Sequence, residues 1–173
     1  MNSIIEEICE RMKRYPHAGL EHDDSSVTYH PSSPSGFIVQ LIVRQGGSRE
    51  HYWIYYGGCR QEMAQQACAI VTFGFGLSTG CRLRVYSRGR RPYHWIIDLW
   101  YETSWKADWE TYDFSSVFWH FWRRPKVHCL QNRLIDLNDG GAAAAACAVL
   151  VATRPPTTSF GAAQARPDAP GSA

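Results

Sequence analysis

Apolar and polar side chains alternate with a period of two through much of the chain, and helical spacing is confined to a few stretches. The clearest alternation runs over 81–88: Cys81, Leu83, Val85 and Ser87 point one way, Arg82, Arg84, Tyr86 and Arg88 the other. It recurs over 93–102, where Tyr93, Trp95, Ile97, Leu99 and Tyr101 oppose His94, Ile96, Asp98, Trp100 and Glu102. Side chains on a strand take opposite faces in turn, so each stretch predicts a strand with one buried face. Residues 26–30 and 51–56 are rich in β-branched and aromatic residues, and 37–44 carries Phe37, Val39, Leu41 and Val43 on one face. These three predict an antiparallel meander, with Gly46-Gly47 marking a hairpin and Gly57-Gly58 a break. Residues 109–114 read as a further strand or an aromatic loop, and 117–122 is apolar without a decisive period.

Helical spacing appears three times. Over 3–14, Ile5, Ile8 and Met12 share a face, Ser3 and Glu6 fit a capping box, and Glu7–Arg11 and Glu10–Arg14 are i,i+4 pairs. Over 60–73, Met63, Ala67, Ile70 and Val71 form a stripe that reaches Gly74. Over 127–137, Leu130, Leu134 and Leu137 predict a closing helix. The expected fold is therefore α+β: a helix, a three-strand antiparallel meander, a second helix, two to three further antiparallel strands and a C-terminal helix. The helices are expected mainly on one face of the sheet.

The pattern fades near Asp139. Gly, Ala and Pro make up more than half of 139–173, and Phe160 is the sole aromatic there. Such a segment has little surface to set against the entropy of ordering it. The expected organisation is one globular domain over 1–138 and a largely disordered tail over 139–173.

Composition adds exclusions. The chain has 173 residues, 20% of them charged and 45% hydrophobic, with a formal net charge of +2. That balance makes neither nucleic acid nor an anionic membrane the default partner. The eleven-residue apolar run 142–152 is too short to span a bilayer, which takes about 20. Cys9, Cys59, Cys68, Cys81, Cys129 and Cys147 include no CxxC pair, and 1–14 lacks the apolar run of a secretory signal. Reduced thiols in a cytoplasmic protein are the expectation.

Candidate chemistry is sparse. The glycines of 74–80 end a helix and open a strand, the reverse of a phosphate loop. The histidines lack metal-ligand spacing, so neither metal nor cofactor is expected. His94 and Asp98 on one strand lie about 13 Å apart, too far for an acid–base dyad. What stands out is a run of arginines beside aromatics. Arg82, Arg84, Arg88 and Arg91, with His94 and Trp100, predict a binding face on the sheet, since guanidinium groups clamp anions and stack on rings. The alternative is a solvated face whose arginines pair with nearby acids. The leading functional expectation is a non-enzymatic interaction domain, immunity-, chaperone- or adaptor-like, that binds a protein through this face. A small hydrolase or nuclease with a site assembled from separate strands, and a single-stranded nucleic-acid binding module, are the alternatives.

Overall fold

The computed structural model describes residues 1–47, 49–113, 115 and 122–136. The tail expected over 139–173, Leu137 and residues 117–121 lie outside these. The first element is helix α1, Ser3–Met12. Its cap is Asn2, one residue ahead of the expected Ser3: the Asn2 side chain accepts from the Ile4 N–H at 3.1 Å and donates to Glu50 at 2.9 Å. One side chain thus ends the helix and ties it to the sheet. Ile4, Ile5, Ile8 and Met12 are buried. Arg11 pairs with Glu7, as the spacing predicts, whereas Glu10 takes Lys13 rather than Arg14.

The strands then form a five-stranded antiparallel sheet in chain order: β1 (Gly19–His22), β2 (Ser26–His30), β3 (Val39–Gly46), β4 (Arg49–Tyr56) and β5 (Cys59–Met63). The three expected strands are its centre. β1 and β5 are additional, and β5 occupies the start of the segment expected to be helical. The reason is local: Gly57, at φ 57°, makes a tight turn after β4, and Cys59–Met63 folds straight back along it.

Helix α2 therefore begins later than expected, at Gln66–Gly76. It is apolar nearly all round, which is the signature of a helix surrounded by protein. It contacts β3, β4, β5 and β6 (Cys81–Arg88), and Tyr56 donates to the Thr72 carbonyl at 2.7 Å. Its buried side chains, Ala69, Ile70, Thr72, Phe73 and Phe75, share only Ile70 with the predicted stripe, because Met63, where that stripe begins, is in a strand.

A second antiparallel sheet holds the arginines. Its order is β8 (Ser104–Tyr112), β7 (Arg91–Tyr101), β6 and β9 (Lys126–Gln131). The class is α+β with antiparallel sheets, but there are two sheets where one was expected. The helix predicted over 127–137 is not formed in its described part: 126–131 pairs along β6, Leu83 opposite Leu130 and Val85 opposite His128. The leucine spacing is real, but strand β6 leaves a row of backbone groups unpaired on that side, and pairing them outweighs a weak helical pattern.

The sheets meet where Gly58 lies against the Trp95 ring. A Cβ on Gly58 would come within 2.3 Å of it, so only glycine fits. Cys59 and Thr111 touch across this junction at 3.3 Å. One hydrophobic cluster runs through α1, α2 and both sheets, including Ile5, Leu41, Ile54, Phe73, Leu83 and Ile97. Among the described residues, no helix is long and apolar enough to cross a membrane.

Candidate functional site

The alternation of β6 and β7 turns Leu83 and Ile97 into the core and sets Arg82, Arg84 and Tyr86 beside His94, Ile96, Asp98 and Trp100 on the outer face. Register decides what these side chains do. Arg82 lies directly opposite Asp98 and Arg84 lies opposite Ile96, so both arginines flank one carboxylate. Arg84 grips it in a fork, Nε to Oδ2 and Nη2 to Oδ1, both at 2.6 Å. Arg82 Nε donates to Oδ2 at 2.8 Å. Asp98 is only 1% exposed, whereas the Arg82 and Arg84 side chains are 29% and 25% exposed. Hydrogen bonding to Asp98 holds the Arg84 guanidinium above its ordinary value.

Aromatic side chains continue from both ends of this triad. Arg84 Nη1 donates to the Tyr86 hydroxyl at 3.0 Å. Tyr86 stacks on His94 at 4.9 Å, and Tyr112 stacks on His94 from β8 at 3.8 Å. His94 Nε2 meets Glu110 at 3.3 Å, and the Tyr112 hydroxyl donates to the same carboxylate at 3.3 Å. In the other direction, the Arg82 guanidinium lies 4.4 Å from the centre of the Trp105 ring, which packs edge-on to Trp100 at 5.3 Å. One connected row thus crosses the face from Trp100 through Arg82, Asp98 and Arg84 to Tyr112.

Of the six residues singled out from sequence, Arg82, Arg84, His94 and Trp100 are brought together here. Arg88 lies apart, its guanidinium 5.2 Å from the Tyr93 ring. Arg91 stands at the exposed start of β7, opposite Arg88. Tyr86, Trp105, Glu110 and Tyr112 were not singled out. Tyr86 was visible in the alternation, but the β8 residues could not be placed. A bulge at Asp108 breaks their period, so Trp109 faces Ile97 while Ala107 faces Asp98.

Both faces of the His94 ring are covered by tyrosine, and its described carboxylate partner is Glu110. Asp98 serves the arginines instead of a histidine. Cys129 is exposed on β9 opposite Arg84, with the whole of β6 between it and β7, so it forms no pair with His94. Among the described residues, no cluster of three or more His, Cys, Asp or Glu could hold a metal ion. What the face offers is exposed apolar area on a rigid support: the aromatic Trp100 and Tyr112 are each 43% exposed, and the aliphatic Val127 is 49% exposed. No protein-family profile, curated protein or solved structure matches this chain.

Proposed function

We propose that this protein is a non-enzymatic interaction domain that binds a partner protein through the outer face of its second sheet. The observation that carries this reading is the exposure of Trp100 and Tyr112 at the two ends of a row whose central side chains are already bonded to one another. Rigid aromatic side chains lose little entropy on binding and dominate protein interfaces. The arginines act here as supports. Three of their N–H groups bond Asp98 and one bonds Tyr86, which fixes both guanidinium groups in place. An immunity-, chaperone- or adaptor-like role in the cytoplasm fits this chemistry, and the five described cysteines, all free, are compatible with a reducing compartment.

The test is capture of a partner from the source cells, followed by titration of that purified partner against wild type and the Trp100→Ala/Tyr112→Ala double variant. Loss of two aromatic anchors should weaken binding about thirtyfold or more while leaving the melting temperature within a few degrees. Equal affinity for both proteins would reject this face as the interface.

A further inference from the structure

We propose that Arg44, Trp53 and Arg60, on the outer face of the first sheet, form a carboxylate clamp for an extended acidic segment of a protein partner. The site lies on a different sheet from the surface above and does not depend on that reading.

Register assembles it. Trp53 in β4 lies opposite Ile42 in β3 and Glu62 in β5. Arg44 is its diagonal neighbour on the β3 side and Arg60 its diagonal neighbour on the β5 side. Both guanidinium groups lie over the indole, at 4.3 and 4.5 Å from the ring centre. Each guanidinium is held against the ring by cation–π attraction, which uses none of its five N–H donors and leaves them for a ligand. Arg44 and Arg60 are exposed, and among the described residues neither has a carboxylate or a side-chain hydrogen-bond partner. Glu62, the nearest acid on this face by register, is engaged by His51 at 2.8 Å. The Trp53 indole N–H is buried and lacks an acceptor among the described residues, so the donors open to a ligand are those of the two guanidinium groups. The two guanidinium groups therefore present donors and positive charge, with Glu62 beside them held by His51 through one oxygen. Arg82 and Arg84, by contrast, are both bonded to one buried carboxylate, Asp98.

The spacing suits an extended peptide. The two guanidinium carbons are at most about 9 Å apart, given their distances to one ring. Side chains two apart on a strand emerge on one face about 7 Å apart, so acids at alternate positions reach one arginine each. Nucleic acid fits less well. The ring is flanked by guanidinium groups, so it is no open platform for a base, and a net charge of +2 gives no broad field along a phosphate backbone.

The experiment uses the full chain and a fluorescent octapeptide with Glu at alternate positions, read by anisotropy at low salt. Saturable binding is expected, with no binding of the same peptide carrying Gln. The Arg44→Gln/Arg60→Gln variant should bind about tenfold or more weakly, while Arg90→Gln, at an exposed turn of the other sheet, should change binding less than about twofold. Titration of the isotopically labelled wild-type protein should shift the Trp53 indole and the Arg44 and Arg60 Nε–H resonances, which tests the site without any substitution. No saturable binding, an equal loss in Arg90→Gln, unmoved Trp53 and arginine resonances, or tighter binding of a single-stranded oligonucleotide of equal charge would each overturn the proposal.

Discussion

The Asn132 side chain hydrogen-bonds both backbone groups of Phe37, a residue 95 positions earlier. Its Oδ1 accepts from the Phe37 N–H at 3.0 Å, and its Nδ2 donates to the Phe37 carbonyl at 2.9 Å. The same Nδ2 reaches the carbonyl of Gly76, the last residue of α2, at 2.9 Å. An amide side chain here replaces a strand neighbour, and Asn132 is 1% exposed. It fastens the segment after β9 to the entrance of β3 and to α2, so the first sheet, the central helix and the second sheet converge on one residue.

Asn132→Ala leaves three buried backbone groups without their partner, each worth about 1–3 kcal/mol. The expected loss is at least about 3 kcal/mol, seen as a fall in melting temperature of roughly 10 °C. Asn132→Asp should also destabilise, because it loses the donor shared by two carbonyls. A urea titration in which Asn132→Ala shifts stability by less than about 1 kcal/mol would refute this anchoring role.

A solvated Arg84 would tolerate truncation at a cost under about 0.5 kcal/mol. The fork on Asp98 predicts otherwise. Arg84→Ala should cost about 2 kcal/mol or more, and Asp98→Ala about 3–5 kcal/mol, since it strands two guanidinium groups beside a buried position. Arg82→Ala, which removes one hydrogen bond, should cost least of the three. Leu83→Ala, on the opposite face of the same strand, should cost about 2–5 kcal/mol by leaving a cavity. Equilibrium unfolding of the four variants checks the order, and a neutral Arg84→Ala would contradict it.

Burial holds the Tyr56 hydroxyl well above its ordinary titration range. A group with a raised folded-state value binds its proton more tightly when folded, so its contribution is present in full below the unfolded value. Tyrosine in an unfolded chain titrates near about pH 10. Stability should therefore not fall on Tyr56's account up to about that pH, and should decline as pH rises further. Burial raises Tyr29 and Tyr52 in the same direction. Denaturation midpoints measured against pH should show this alkaline decline. Tyr56→Phe should flatten it, at some cost from the lost bond to Thr72.

Cysteine reactivity should follow exposure. Cys129 is exposed, Cys59 and Cys81 are buried, and burial pushes the Cys59 thiol up despite a hydrogen bond with Thr111. Since the thiolate is the reactive form, alkylation of the native protein followed by mass spectrometry should label Cys129 first among the described cysteines. Cys59 and Cys81 should react only as fast as the protein unfolds. Early labelling of Cys59 would show that the junction between the sheets opens locally.

Much of the local structure followed from residue order alone. Burying one face of a strand demands alternation, so 37–44, 81–88 and most of 93–102 could be read as strands together with their inward residues, and 26–30 as a strand from its β-favouring residues. Helix α1 was legible for the same kind of reason: its apolar residues recur at helical spacing, and Asn2 rather than Ser3 supplies an equivalent cap. Pairing is different, because it joins residues far apart in the chain. The leucines of 127–137 suggest a helix until β6 offers an unpaired edge. Asp98 looked like one polar residue among several on an outer face, and only the register of β6 against β7 shows that it sits between Arg82 and Arg84 and accepts hydrogen bonds from both. Arg60 looked helical, and only the fold-back of β5 brings it to Trp53. Alternation is a property of one strand, so the sequence by itself settles which way a side chain points. Which partner it meets depends on register, strand order and bulges, and the tertiary structure alone decides those, because the hydrogen bonds and contacts that favour one pairing do not exist until distant segments are side by side.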